Sequence, residues 1–175
     1  MTFAELKALK RKKCNMFTKE YLHEIFRYED GNLYWKIDVA KNVKAGSICR
    51  QIDYKGYKKV TFNGKSYFQS RIIFMMHYGV LPKIIDHINC IKTDNRIENL
   101  RKASIIENGQ NKKIQKNNKS GFKNVHWCKT NKKWVVTIKV NKKSMSVGSF
   151  KDIELADLVA QEARNKYHKN FANHG

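Results

Sequence analysis

The sequence predicts an α+β protein: a mixed N-terminal domain, then a small three-stranded antiparallel sheet packed on one helix. Three observations predict this class: an Asn63-Gly64 turn between two β-prone runs, a capping box that begins at Ser104, and alternating apolar residues after Val125. Asn-Gly favours a two-residue hairpin because both turn positions need a positive φ. Alternation with a period of two is typical of strands with one buried face.

The N-terminal elements follow from apolar spacing and from turn residues. We expect a helix near Lys19–Phe26 and a strand at Asn32–Trp35 after an Asp-Gly turn. Around Asn63-Gly64 we expect strands at Tyr57–Phe62 and Lys65–Phe68. A buried helix from Arg71 to Tyr78 should follow, because Gly79 and Pro82 are typical helix-ending residues. A short basic helix is also expected within the first ten residues.

Residues 84–111 contain the densest pattern of polar residues. An apolar pair leads into Asp86 and His87, and a polar loop then runs from Asn89 to Glu98. The apolar pair predicts a short strand that delivers an acid and a histidine side by side. Adjacent strand residues normally face opposite ways, so the two can serve one site only if the strand ends or bulges there.

A second strand and a helix are predicted after this loop. Ser104 and Glu107 form a Ser-x-x-Glu capping box, which begins a helix at Ser104. That helix places Asn108 and Asn111 on one face near its N-terminus. The predicted order of the segment is therefore strand, loop, strand, helix, with polar groups converging from strand and helix.

From Ser120 onward the sequence predicts a separate sheet and helix. Three strands should share an apolar face made of Val125, Trp127, Trp134, Val136, Ile138, Val140, Met145 and Val147. Asp152 is the expected N-cap of a helix that ends near His168. An apolar stripe on that helix is expected to cover the sheet; it consists of Leu155, Val159, Ala163 and Tyr167.

These elements predict two domains, at residues 1–111 and 120–175, joined by a basic linker at residues 112–119. The net charge is +21, from 36 Lys and Arg against 15 Asp and Glu, and it is carried by both domains. With 41% hydrophobic residues the chain can fold, so the charge favours nucleic-acid binding over disorder. A protein-interaction module and a membrane-surface binder are the alternatives, and the basic first helix is equally a solvated face or a DNA-contacting arm.

Several classes are disfavoured by the sequence. No apolar run approaches the ~20 residues of a membrane span, and the charged residues 1–13 do not resemble a signal peptide, so we expect a cytoplasmic protein. The four cysteines (Cys14, Cys49, Cys90 and Cys128) contain no Cys-x-x-Cys pair, which argues against a zinc ribbon and favours reduced thiols.

Residues 84–111 resemble the HNH endonuclease family, specifically its phage branch, which has a His-Asn-Asn pattern and a ββα-metal fold. The matching blocks are Asp86-His87-Ile88-Asn89, Asp94-Asn95-Arg96-Ile97-Glu98-Asn99-Leu100-Arg101, and Glu107-Asn108 with Asn111. The resemblance extends upstream through Gly31-Asn32-Leu33-Tyr34-Trp35-Lys36, Gly56-Tyr57 and Arg71. One departure is visible: the family often has His-Arg before the motif, whereas this chain has Ser70-Arg71.

The resemblance implies catalytic roles for His87, Asn99 and Asn108. His87 would be the general base, Asp86 and Asn108 the metal ligands, and Asn99 the residue that orients the loop. A neutral imidazole is suited to removing a proton from water near pH 7. One carboxylate and one amide oxygen form a hard site, which favours Mg²⁺ or Mn²⁺ over zinc, with DNA completing the coordination.

Structural roles remain open for several of these residues. Asn95, Asn99 and Asn108 could be turn or cap residues, and Asp94, Asn95 and Arg96 could simply stabilise the loop, the role preferred for those three. The other histidines, His23, His77, His168 and His174, are expected to be structural or solvated. Candidate DNA contacts in this domain are Arg71, Arg96 and Arg101.

Residues 120–172 resemble the Apetala-two (ethylene-response-factor) DNA-binding domain. The matching residues are Gly121-Phe122-Lys123-Asn124-Val125-His126-Trp127, Lys133-Trp134, Gly148-Ser149-Phe150 and Glu154-Leu155-Ala156. The resemblance implies that the exposed sheet face enters the major groove of DNA. Its candidate contacts are Lys123, His126, Thr137, Lys139, Ser144 and Ser146, a set that lacks the arginines that usually read guanine. A protein-binding module is the alternative.

Together the two resemblances predict a metal-dependent endonuclease that hydrolyses phosphodiester bonds of double-stranded DNA. By resemblance it would be a phage homing or nicking enzyme, acting in the bacterial cytoplasm with no obligate protein partner and leaving 5′-phosphate and 3′-hydroxyl ends. A DNA-binding regulator that retains the nuclease fold without cutting is the alternative, and an RNA-binding protein is a further one.

Overall fold

The computed structural model describes residues 17–175, so the short basic helix expected in the first ten residues lies outside the described part. Contacts divide the chain between Lys102 and Ala103 into an N-terminal unit and a C-terminal unit. The predicted linker at residues 112–119 therefore falls inside the C-terminal unit, together with the helix that follows Ser104. No described helix is long and apolar enough to span a membrane.

The described N-terminal unit begins with a capped helix and a tight hairpin. Helix α1 (Lys19–Ile25) starts where the Thr18 side chain accepts a hydrogen bond from the backbone N–H of Tyr21. Strands β1 (Phe26–Glu29) and β2 (Asn32–Trp35) pair antiparallel, with Glu29 opposite Asn32. Asp30 and Gly31 connect them with φ values of 41° and 75°, the left-handed pair that a two-residue hairpin needs.

A second sheet contains the hairpin predicted from Asn63-Gly64. Its order is β3 (Gln51–Ile52), β4 (Lys58–Phe62) and β5 (Lys65–Phe68), all antiparallel. Helix α2 (Gln69–Tyr78) follows directly and ends at Gly79, whose φ is 69°. The predicted hairpin is confirmed, and the predicted helix is confirmed with its start two residues earlier than expected.

The core of this unit is formed by α1, α2 and the first two sheets. Its fully buried apolar side chains are Leu22, Phe26, Leu33, Val60, Ile72, Ile73 and Met76. Gln69 is buried among them, and its amide Nε2 donates to the carbonyls of Cys49 (2.7 Å) and Lys59 (2.9 Å). Helix α2 is thereby fastened to two neighbouring segments through a polar group that would otherwise be costly to bury.

A third, two-stranded sheet completes the N-terminal unit. Strand β6 (Ile85–His87) pairs antiparallel with β7 (Leu100–Lys102), and the register places Asp86 opposite Arg101 and His87 opposite Leu100. A polar loop that closes with a 3₁₀ turn at Ile97–Asn99 connects the two strands. The predicted order of strand, loop and strand is confirmed.

The C-terminal unit contains the capped helix and the predicted sheet-helix module. Helix α3 (Ile105–Gln110) is preceded by Ser104, whose capping box with Glu107 is complete. Strands β8 (Val125–Cys128), β9 (Lys133–Val140) and β10 (Lys143–Phe150) form an antiparallel sheet in the order β10-β9-β8. Helix α4 (Ile153–His168) begins after its N-cap Asp152.

The stripe predicted to cover this sheet is wrong in part. The buried apolar residues of α4 are Ala156, Ala160 and Ala163, whereas Leu155 and Tyr167 are exposed. The helix is rotated by about one residue from the expected orientation, because alanines allow closer approach to Val125 and Val136 of the sheet. Trp127, expected in the apolar face, is 45% exposed and packs edge-on against Trp134.

A buried arginine, Arg164, connects α4 to the segment before β8. The guanidinium of Arg164 is fully buried, and its Nη1 donates to the carbonyl oxygen of Lys123 at 2.6 Å. Its Nε donates to Nδ1 of His174 at 3.3 Å. Burial lowers the pKa of Arg164, while the nearby carboxylate of Asp157 opposes that shift. Nothing in the apolar periodicity of α4 indicated this residue.

Candidate active site

Strand β6 ends at His87, which makes the carboxylate and the imidazole neighbours at a strand terminus. The chain turns immediately afterwards, with Cys90 N–H donating to the carbonyl of His87 at 2.9 Å and Cys90 at a φ of 59°. Asp86 and His87 are both buried. Asp86 and His87 could serve one site only if the strand ended or bulged at this point, and β6 ends at His87.

Asp86 is paired with an arginine on the opposite strand. Its Oδ2 accepts from Nε of Arg101 at 2.8 Å and lies 2.7 Å from Nη2 of the same guanidinium. The β6–β7 register places the two residues directly opposite each other, so the sheet itself brings them together. This ion pair compensates a carboxylate that would be costly to bury alone.

His87 is held by an asparagine from the polar loop. Its Nε2 lies 2.9 Å from Oδ1 of Asn95, and Asn95 is 1% exposed. Because an amide oxygen can only accept, Nε2 carries the proton of the neutral ring, and Nδ1 carries the basic lone pair. The amide nitrogen of Asn95 is buried without a hydrogen-bond partner among the described residues.

The loop between β6 and β7 is closed by Asn99. Its Oδ1 accepts from the backbone N–H of Asn89 at 2.9 Å, and its Nδ2 donates to Oδ1 of Asn89 at 2.9 Å and to the carbonyl of Asp94 at 2.8 Å. Asp94 accepts two hydrogen bonds from the guanidinium of Arg96, at 2.9 and 2.8 Å. These Arg96 bonds are the main reason that the pKa of Asp94 lies well below its usual value.

The β1–β2 hairpin packs against the loop between β6 and β7. The backbone N–H of Ile97 donates to the hydroxyl of Tyr28 on β1 at 3.1 Å. A Cβ added at Gly31 would lie 2.7 Å from the backbone nitrogen of Arg96, so only glycine allows this approach. The β1–β2 turn therefore fixes the backbone that carries Asn95.

Tyr57 lies near both Asp86 and His87. Its ring centroid is 5.9 Å from that of His87. Burial is the main cause that raises the pKa of Tyr57, and the charges of Asp53 and Asp86 raise it further. The ammonium of Lys92 lies over the ring of Tyr57, 5.1 Å from its centroid.

Asn108 and Asn111 lie on α3, in the C-terminal unit. The backbone N–H of Asn108 donates to the carbonyl of Ser104 at 3.0 Å, and its side chain is partly exposed. Asn111 is buried and caps the C-terminal end of the helix, where its N–H donates to the carbonyl of Glu107. Of the two predicted metal ligands, Asp86 thus belongs to the N-terminal unit and Asn108 to the C-terminal unit.

The basic residues predicted to contact DNA are mostly engaged within their own units. Arg71 donates from Nε to the carbonyl of Pro82 at 2.9 Å, and Arg96 and Arg101 bind Asp94 and Asp86 as described above. The ammonium of Lys123 donates to the carbonyls of Gln110, Lys112 and Asn173. A DNA-contacting role for Lys123 would require these bonds to open.

The sheet of the C-terminal unit places the remaining candidates on one face. Register pairs Thr137 with Ser146 and Lys139 with Ser144, so each pair shares the same side of the sheet. His126, Lys139, Ser144 and Ser146 are exposed, and Thr137 is half-buried. The opposite face is covered by α4.

The donor chemistry fits a hard divalent metal, which the HNH resemblance implies. Asp86 offers a carboxylate oxygen, a donor that Mg²⁺ and Mn²⁺ prefer, whereas Asn108, the other ligand that the resemblance implies, belongs to the C-terminal unit. Among the described residues no group of three or more His, Cys, Asp or Glu side chains is placed to hold a metal.

Three contributors to this site were missed or undervalued from sequence: Asn95, Tyr57 and Gly31. Asn95 was assigned to loop stabilisation, because an Asp-Asn-Arg run is typical of turns. Its contact with His87 spans eight residues and has no periodic signal. For Gly31 the turn was recognised, but the close approach of Arg96 depends on tertiary packing.

Comparison with known proteins agrees with the HNH resemblance of the N-terminal motif. The model of the HNH endonuclease family matches residues 67–110, which include Asp86, His87, Asn99 and Asn108. Protein 3.8 of Escherichia phage T7 is 34% identical over 98 residues, which cover 54% of this chain and 78% of that protein. No solved structure matches the chain. The chain therefore belongs to the family of phage T7 Protein 3.8, and it carries an HNH endonuclease domain at residues 67–110.

Proposed function

We propose that the protein is a DNA endonuclease that hydrolyses phosphodiester bonds of double-stranded DNA with the help of Mg²⁺ or Mn²⁺. The observation that carries the proposal is the buried His87 at the end of β6, held through Nε2 by Asn95 within the HNH match. An imidazole fixed in one tautomer is suited to general-base catalysis because the basic nitrogen is always the same atom.

In this proposal Nδ1 of His87 takes a proton from a water molecule as its oxygen attacks the scissile phosphorus. The bond from phosphorus to the 3′ oxygen breaks, and that oxygen leaves with a proton from solvent, giving 5′-phosphate and 3′-hydroxyl ends. Asp86 and Asn108 would hold the metal, which would neutralise negative charge at the phosphate. Asn99 would keep the loop closed and so keep Asn95 against His87.

Arg101 would position the carboxylate of Asp86, the proposed metal ligand. Nε of Arg101 donates to Oδ2 of Asp86 and Nη2 lies 2.7 Å from the same oxygen, so the guanidinium fixes the orientation of the carboxylate. A carboxylate that is oriented in advance needs little rearrangement to bind a cation. This use of Arg101 replaces the direct DNA contact that the sequence suggested for it.

For the C-terminal unit we propose an Apetala-two/ERF-type role, in which the exposed sheet face binds duplex DNA. The support is the shared orientation of His126, Thr137, Lys139, Ser144 and Ser146 on the face that α4 does not cover. Hydroxyl, imidazole and ammonium groups can contact phosphates and base edges. A homing or nicking enzyme of a phage, acting in the host cytoplasm, is the biological role that we propose on resemblance alone.

Incubation of supercoiled plasmid with the purified protein and Mg²⁺ tests the proposal. Nicked or linear product that requires Mg²⁺ and disappears with EDTA is expected, and retarded migration without breakage would identify a DNA-binding protein instead. His87→Ala should abolish cutting while DNA affinity stays within about twofold. His23→Ala is the matched control, because His23 is exposed and its ring contacts only the carbonyl of Met76 among the hydrogen bonds described for it.

A further inference from the structure

The turn between β3 and β4 is held rigid by one aspartate. Oδ1 of Asp53 accepts from the backbone N–H groups of Lys55 and Tyr57, each at 2.9 Å. The backbone of Asp53 exchanges further bonds with Gly56 and Tyr57, also at 2.9 Å. Gly56 closes the turn at a φ of 85°. A short turn with this many internal bonds presents its side chains in a fixed arrangement.

Two large apolar side chains at this turn are exposed and do not belong to the core of the N-terminal unit. Tyr54 is 91% exposed, and Ile52 at the base of the turn is 61% exposed. The ammonium of Lys55 lies 5.2 Å from the ring centroid of Tyr54. A large aromatic side chain presented on a rigid turn beside a lysine is typical of an interaction site.

The turn is also connected to the candidate active site. Nζ of Lys92, in the loop after His87, donates to the carbonyl of Lys55 at 2.9 Å. The same ammonium lies over the ring of Tyr57, and that ring lies 5.9 Å from the imidazole of His87. The contacts through Lys92 and Tyr57 therefore place the turn beside the residue that would receive the scissile phosphate.

We propose that this turn, Asp53–Tyr57, is a second DNA contact, which binds the duplex immediately beside the phosphate presented to His87. Tyr54 packs its ring against sugars and base edges, and Lys55 binds a phosphate. The charge of the surface matches DNA, because the carboxylate of Asp53 is occupied by backbone N–H groups and lies 3.9 Å from the ammonium of Lys59. The inference rests on the proposed function, since it places DNA at His87.

Binding measurements in a non-cutting background test this contact separately from cleavage. With the full chain carrying His87→Ala, fluorescence anisotropy on a short mixed-sequence duplex should show that Tyr54→Ala weakens binding about 5- to 10-fold, as loss of an aromatic contact to a base does. Tyr54→Phe should bind within about twofold of the parent, because the ring is retained. Tyr78→Ala, which removes another exposed tyrosine of the same unit, should have no effect.

A photo-crosslinking amino acid in place of Tyr54 gives a readout that does not depend on affinity. It should crosslink to the duplex after illumination, whereas the same amino acid in place of Tyr78 should not. Unchanged affinity of Tyr54→Ala together with no crosslink at position 54 would overturn the contact. Because neither measurement needs cleavage, the two failures are distinguishable: a protein that binds DNA through this turn but never cuts would refute the proposed cleavage while supporting the contact of the turn with DNA.

Discussion

The imidazole Nε2 of His87 and the amide Oδ1 of Asn95 lie 2.9 Å apart, and both side chains are buried. The bond connects the end of β6 to the middle of the loop that follows it. Leaving the buried Nδ2 of Asn95 unsatisfied costs about 1–3 kcal/mol, so stability alone would favour an apolar residue here. The bond to His87 gives a physical reason for an asparagine at this position.

Replacing Asn95 by aspartate should move the pH dependence of cleavage. In Asn95→Asp the new carboxylate beside the imidazole favours the imidazolium form, which cannot accept a proton. The pH at which cleavage reaches half of its maximum should therefore rise by about one unit or more. The measurement is the initial rate of plasmid nicking between pH 5.5 and about pH 9, with the same metal concentration throughout.

Two further measurements distinguish this electrostatic effect from simple damage to the loop. Asn63→Asp adds the same charge at a hairpin turn of the same unit and should leave the pH profile unchanged. In the natural protein at pH 8, long-range ¹H–¹⁵N spectra of the His87 ring should show a protonated Nε2. A protonated Nδ1 there, or an identical pH profile for Asn95→Asp, would contradict the positioning role of Asn95.

Gly31 should be intolerant of alanine because of the loop that packs on it. The φ of 75° is unfavourable for alanine, and the added Cβ would meet the backbone nitrogen of Arg96 at 2.7 Å. Gly64 has a φ of 71° with no atom within 4 Å of an added Cβ, so Gly64→Ala has the same backbone cost without the contact. Thermal unfolding and plasmid nicking of both variants provide the comparison.

We expect Gly64→Ala to lose about 1 kcal/mol of stability and to retain its nicking rate per folded molecule. Gly31→Ala should lose more stability and at least tenfold in nicking rate, because the backbone of Asn95 and Arg96 must move away. Equal behaviour of the two variants would show that the approach of the β1–β2 turn does not position the loop.

Asp94 should make the loop sensitive to acid. Its pKa is lowered in the folded protein, so its stabilising contribution is complete above the ordinary carboxyl range near pH 4 and is lost as the pH falls through the lowered value. Arg96 is half exposed, so screening limits the contribution to about 1 kcal/mol. Urea unfolding at pH 7 should show Asp94→Asn less stable than the natural protein, with the difference shrinking progressively as the pH falls below 4 toward pH 2. A difference that persists undiminished to that pH would assign the effect to packing.

The sequence was sufficient for elements with strong local signals. The Asn63-Gly64 hairpin, the Ser104–Glu107 capping box and the Asp152 N-cap all occur as predicted, because turn and cap geometry depends on a few adjacent residues. The strand, loop and strand around Asp86 and His87 were also predicted, and the family match agrees with the residues on which the resemblance depended.

The contacts that complete the candidate site could not be predicted in the same way. Asn95 meets His87, Gly31 meets Arg96 and Tyr28 meets Ile97 through tertiary packing, and in none of these pairs does one residue's type identify the other. The Arg101–Asp86 pair depends on strand register, which spacing alone left undetermined. Local chemistry therefore indicated the elements and the candidate residues, whereas tertiary packing determined the contacts that each residue makes.

The alanine face of α4 gives a last prediction, about the element whose orientation the sequence misjudged. Ala160 is fully buried against the sheet, so Ala160→Leu adds volume to a packed interface and should lower stability by about 1–3 kcal/mol. Glu162→Leu introduces the same side chain on the exposed side of the helix and should change stability by less than about 0.5 kcal/mol. Chemical denaturation of the full chain measures both. If the stripe through Leu155 and Tyr167 faced the sheet instead, Leu155→Ala would be the costly change and Ala160→Leu the tolerated one.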